Sequence, residues 1–185
     1  MRARMALKLA GIAVEMREIS LRDKPAHMLQ VSPKATVPVL MLPDGKVIEE
    51  SIEIMLFALN THALGVNIHE PCRALILEND GDFKLALDAY KYPERFAKKT
   101  QVQHRADGEV FLQKLENLLN HHQYLLGVAP SLADIAIFPF VRQFTAVDTG
   151  WWKTLPYPKL HTWLNDWVNS DLFISIMTKN PTYVG

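Results

Sequence analysis

The 185-residue chain has a single cysteine, Cys72. An intrachain disulfide and a Cys-based zinc site are therefore both excluded. Net charge is absent too: 20 Lys and Arg balance 20 Asp and Glu. Nothing here resembles the basic footprint of a nucleic-acid binder or the polybasic patch of a protein held on an anionic membrane. No apolar run is long enough to span a bilayer, and the N-terminus reads as an amphipathic Arg-bearing helix rather than a secretory leader. A cytoplasmic setting is the expectation. The seven histidines include no H-E-x-x-H pair, and adjacent His121 and His122 point about 100° apart on a helix, so no metal is expected. Cys72 follows Pro71 near a helix start, where a thiolate can be stabilised, yet a buried inert thiol is the commoner state of a lone cysteine. Internal repeats and low-complexity segments are also missing.

What is present is concentrated between Thr36 and Ser51, T-V-P-V-L-M-L-P-D-G-K-V-I-E-E-S. Val37, Val39 and Leu40 are strand formers, but Pro38 cannot donate to a ladder, which points to a bulge or a cis peptide bond. Pro43-Asp44-Gly45-Lys46 is a turn signal, and Val47-Ile48 resume the strand. A cis Val37-Pro38 bond would leave the Val37 backbone groups for a peptide-like ligand. Glu50 and Ser51 then open a helix whose N-terminus can hold an anion.

The surrounding pattern is helix over Arg2 to Ala10, a period-two strand over 13–21, and a short helix around Pro25 to Gln30. Strands near 37–42 and 46–49 follow, then a helix over 51–63 with Ile52, Met55, Leu56 and Leu59 on one side. Periodicity lapses from His62 to Pro71, around Gly65 and Asn67, which marks a linker. Beyond it everything is helical. Segments at Pro71–Glu78 and Phe83–Tyr90 are separated by Asn79-Asp80-Gly81-Asp82; a long helix covers 103–125. An almost wholly apolar helix starts at Ser131 and carries Pro139, which predicts a kink or break. A last helical region runs from Lys159 to Met177. Ser131 and Asp134 match a capping box, with a folding role and an expected value of about 0.5–2 kcal/mol. The expected domains are 1–64, α/β, and 71–185, all helical.

An α/β part with V-P, hairpin and E-S, followed by a helical part with S-L-A-D, resembles the glutathione transferase family. The opening R-A-R-M-A-L looks like the first helix of bacterial members. The resemblance covers nearly the whole chain and implies a thioredoxin-like N-terminal domain joined to an all-α helical bundle. It implies that Val37, ahead of cis Pro38, pairs its backbone with the cysteinyl part of glutathione. Glu50 would hold the γ-glutamyl ammonium, Ser51 the carboxylate, and Lys34 the glycyl carboxylate. Homodimerisation and a second substrate, a hydrophobic electrophile or a disulfide, are further implications. Tyr90, Tyr92, Phe144, Trp151 and Trp152 are aromatics that could border the electrophile or simply fill the core.

One part of the family pattern has no counterpart here. A first strand and a turn bearing the catalytic Ser, Tyr or Cys precede the first helix in that family, whereas this sequence opens on the helix. No catalytic residue is named, and the expectation is a chain that begins upstream of Met1. The activity implied is glutathione transfer or thiol–disulfide exchange. The alternatives are a non-catalytic binding or regulatory protein on the same fold, or a truncated form lacking activity.

Overall fold

The computed structural model describes residues 1–61 and 69–183. The expected linker at 62–71 falls largely outside the described residues. The chain divides into two compact units, Met1–Val66 with Asp171–Gly185, and Asn67–Ser170.

In the first unit, α1 (Arg2–Leu9) buries Met5, Ala6 and Leu7. It packs on α3 (Ser51–Thr61), whose inner face is Ile54, Met55, Ala58 and Leu59. That i, i+1, i+4, i+5 stripe is rotated from the face read in the sequence, with Ile52 and Leu56 only half-buried. Gly11, at φ +66° just beyond α1, supplies the left-handed turn that ends the helix. A short α2 (Ala26–Val31) follows. The sheet has two antiparallel strands, β1 (Val39–Met41) and β2 (Val47–Glu49), in register Val39–Glu49, Leu40–Ile48 and Met41–Val47. Their turn is closed by Asp44 Oδ1, which accepts the Lys46 N–H at 2.9 Å, with Gly45 at φ +85°.

The strand expected over 13–21 does not form. Residues 13–17 are exposed on both sides of the pleat, so their alternation has no core face to fix it. The segment makes a single parallel bridge, Glu18 to Thr182, with the Tyr183 N–H donating to the Glu18 carbonyl at 2.7 Å. Near it, α10 (Asp171–Ile176) packs on α1. The last residues thus belong with the first unit, although their helical pattern reads as a continuation of the bundle.

In the second unit, α4 (Glu70–Glu78) does not stop at Asn79. It continues as one π-helical turn, Asn79–Phe83, into α5 (Lys84–Lys91). The N-D-G-D run weakens helix propensity. Burial overrides it: Asn79 and Phe83 face inward, and the Phe83 ring lies 4.7 Å from Phe111 and 5.2 Å from Phe144. The long α6 (Gln101–Leu119) starts two residues earlier than expected because Thr100 and Gln103 form a reciprocal capping box. It ends at Leu119, six residues short of the expected end. The central α7 (Leu132–Thr145) runs unbroken through Pro139. A proline inside a helix costs about 3 kcal/mol. Ile135, Ile137, Phe138, Val141 and Phe144 are buried to 3% exposure or less, and at about 1.5–3 kcal/mol each they outweigh it. The helical region expected from Lys159 to Met177 is divided, with Asn169-Ser170 separating α9 (Pro158–Val168) from α10, and a further short helix, α8 (Thr149–Thr154), precedes it.

Candidate functional site

The expected binding residues gather where β1 and β2 meet the start of α3. Val37 lies one residue before Pro38 and two before the ladder, whose last pair is Val39–Glu49. The Val37–Pro38 peptide is cis, and Val37 is 48% exposed. Glu50 has φ +63°, a left-handed conformation that a residue with a Cβ adopts at a cost of order 1–3 kcal/mol and that recurs at ligand clamps. This turn places Glu50, not Ser51, at the cap of α3: its carbonyl accepts the Ile54 N–H at 3.2 Å, and Ser51 is the first helical residue.

Ser51 is held from a direction the sequence does not reveal. Arg2 Nε donates to Ser51 Oγ at 2.8 Å, and Arg2 is itself buried at 8% exposure. A hydroxyl that accepts from a guanidinium keeps its own O–H proton as a donor. Ser51 therefore offers an O–H beside the unpaired N–H groups of a helix N-terminus, an arrangement suited to a carboxylate.

Lys34 Nζ lies 3.6 Å from Glu49 Oε2 and 3.7 Å from Glu50 Oε1. The side chains of Lys34 and Glu50 are both 59% exposed, so these contacts are loose and exchangeable with solvent. Glu49 is fixed on its other oxygen by the buried Ser32 hydroxyl, which donates to Oε1 at 2.5 Å. Ala35, at φ +54°, is a second left-handed position in the same loop. Arg2, Ser32 and Glu49 are contributors the sequence reading missed. Ser32 and Glu49 are seventeen residues apart, with no spacing signal between them.

The other named pair, Ser131 and Asp134, sits in the second unit. Ser131 donates from both N–H and Oγ–H to Asp134 Oδ2, at 2.8 and 2.6 Å. Asp134 Oδ1 accepts from the Leu125 N–H at 3.0 Å and from Trp163 Nε1 at 2.8 Å. Cys72 is buried, and that burial pushes its thiol above the usual range. Tyr90, Phe144 and Trp151 form one aromatic cluster, with ring centroids 5.0–6.4 Å apart, whereas the Trp152 ring lies tilted against His161 at 3.9 Å. Among the described residues no cluster of His, Cys, Asp and Glu is arranged to hold a metal, and no helix is long and apolar enough to cross a membrane.

A small α/β unit with a strained turn at a helix start, followed in sequence by an all-helical unit, defines a thioredoxin-like protein extended by a helical domain. The chain belongs to the glutathione S-transferase family: residues 1–61 match the family's N-terminal domain and residues 104–166 its C-terminal domain. It is 24% identical over 176 residues to glutathione S-transferase omega-1 of Mus musculus, covering 88% of this chain and 69% of that protein. Among solved structures it superposes on the glutathione transferase URE2P6 of Phanerochaete chrysosporium, in complex with oxidised glutathione, with a TM-score of 0.81. Identity there is 13%, over 95% of this chain and 88% of that one. A glutathione transferase family member of Pseudomonas fluorescens with two glutathione bound gives a TM-score of 0.80 at 15% identity, over 94% and 86% of the two chains. The fold is thus a small thioredoxin-like domain with a two-stranded sheet, and a helical domain.

Proposed function

We propose that this chain binds glutathione through its N-terminal domain and serves glutathione transfer to an electrophile or thiol–disulfide exchange. The observation that carries the reading is the left-handed Glu50 turn. It sets an exposed carboxylate and the Ser51 hydroxyl side by side at the start of α3. In this assignment the Glu50 carboxylate takes the γ-glutamyl ammonium. Ser51 and the first α3 amides take the α-carboxylate. The Val37 backbone pairs with the cysteinyl amide, and Pro38, which has no N–H, leaves that stretch outside the ladder. Lys34 exchanges its loose contacts with Glu49 and Glu50 for the glycyl carboxylate. The bound tripeptide brings the reactive thiol; the residues named here bind and orient it, and none of them is assigned as nucleophile. A cytoplasmic homodimer fits the reading, since glutathione maintains the thiol pool of that compartment.

The test is calorimetric titration with glutathione. Ser51→Ala removes a charge-assisted hydrogen bond, and the expected rise in Kd is about tenfold or more. Glu50→Gly is expected to abolish measurable binding while leaving the melting temperature nearly unchanged, because glycine accepts positive φ without strain. Unchanged affinity in both variants would remove the assignment. A binding-only role is the second reading. It is favoured by the one cysteine being buried with a raised pKa, so that it supplies no ready thiolate. Binding without turnover of an aryl halide or of a glutathione mixed disulfide would select it.

A further inference from the structure

A cleft of about 380 Å³ opens in the helical unit, lined by Tyr90, Gln101, Val102, Arg105, Val147 and Asp148, with Thr149 at its edge. Its size is at the lower end of pockets that hold small molecules. The hydroxyl of Tyr90 is buried there and has no hydrogen bond of good geometry among the described residues, and the residue as a whole is 2% exposed. Arg105 lies against this hydroxyl, but a guanidinium only donates and can at most serve the phenol oxygen. Whatever Arg105 offers, the Tyr90 O–H has no acceptor among the described residues. Burial pushes the Tyr90 pKa up, so the group stays protonated, and a donor, at neutral pH.

Arg105 is placed without being saturated. Its guanidinium lies over the Trp151 ring at 4.6 Å, which fixes the plane of the fork. Among the described residues its ionic contact, Nη1 to Asp148 Oδ2, is 3.4 Å long, well beyond the roughly 2.7–2.9 Å of a strong charge-assisted bond. Asp148 is in turn occupied on Oδ1, which accepts the Trp151 N–H at 2.9 Å and caps α8. Gln101 Nε2 is turned onto the Tyr90 carbonyl at 3.2 Å and so fixes the cleft's edge. Two donors thus remain, one cationic and one neutral, beside the apolar flanks of Val102 and Val147.

We infer that this cleft is a binding site for a small monocarboxylate, its oxygens taken by the Arg105 fork and the Tyr90 hydroxyl and its short apolar body lying against Val102 and Val147. A carboxylate is preferred to a phosphate for two reasons. The planar fork matches it bidentately, and Asp148 within the same cleft repels a second negative charge. The inference is independent of the glutathione assignment, since all the residues belong to the helical unit.

Benzoate is the probe, with benzyl alcohol as its uncharged counterpart, titrated calorimetrically into the full chain. Benzoate is expected to bind at millimolar or lower concentration and benzyl alcohol at least tenfold more weakly. Tyr90→Phe and Arg105→Met should each weaken benzoate tenfold or more. Tyr90→Phe keeps the ring packing and deletes a hydroxyl with no hydrogen bond of good geometry among the described residues, so its melting temperature should hold or rise. That result separates a ligand role from a structural one even where Arg105→Met fails to fold. No benzoate binding by the parent chain, equal binding of both probes, or undiminished binding by Tyr90→Phe would each overturn the assignment.

Discussion

At the scale of single residues, Asp134 shows how far a local motif understates its role. As half of a capping box it is worth about 0.5–2 kcal/mol. In the structure it is fully buried and accepts four hydrogen bonds, two from Ser131, one from Leu125 and one from Trp163. Removing it leaves three residues' donors without a partner in a dry interior. Asp134→Ala is expected to cost about 3 kcal/mol or more, against about 1 kcal/mol for Ser131→Ala, as read from urea denaturation midpoints. Equal costs would reduce Asp134 to a simple cap. Tyr157 supplies a pH test. Burial, and then its hydrogen bond to Glu109, push its hydroxyl from 10.0 to about 12. The fold thus favours the neutral phenol. This contribution is complete below pH 10 and is lost as the pH rises toward 12. Between pH 9 and 11.5 the parent chain should lose more stability than Tyr157→Phe, which has no phenol to ionise.

At the scale of elements, helix faces matter more than helix propensities. Gly108 sits inside α6, where alanine would ordinarily add about 1 kcal/mol of helix stability. A Cβ there would meet Phe144 Cε2 at 2.3 Å, and Phe144 is completely buried within α7. Overpacking of this kind costs about 1–3 kcal/mol, so the steric term wins. Gly108→Ala should lower the thermal midpoint; a rise would mean that the α6–α7 contact is softer than its geometry. The same principle explains what the sequence reading caught and what it missed among elements. Period 3.6 located α1, α3, α6, α7 and α9, because their apolar stripes are long. It placed a break at Asn79–Asp82, where burial of Phe83 carries the helix through as a π turn. It placed a strand at 13–21, where alternation is present but no partner ladder fixes it.

At the scale of the whole molecule, chain order and packing order differ. Residues after Ser170 follow the bundle in sequence but group with the first unit, through α10 on α1 and the Glu18–Thr182 bridge. Deleting the chain beyond Ser170 should therefore raise amide exchange in α1 and α3 and leave α6 and α7 nearly unchanged. Equal loosening of all four helices would contradict this. The hairpin at Pro43–Lys46 and the capping signal at Ser131 are legible in the residues alone, and the motifs V-P, E-S and S-L-A-D carry the family. The turn and the cap rest on local chemistry, which residues carry wherever they are placed, and the family on the resemblance of short motifs. That Arg2 holds Ser51, that Ser32 fixes Glu49, that Asp134 gathers Leu125 and Trp163, and that Tyr90 faces a cleft with Arg105 emerges only once the chain is packed. Each of those pairs joins residues nine or more apart in the chain, beyond the reach of a helical turn or a tight loop, so their contact depends on how separate segments pack.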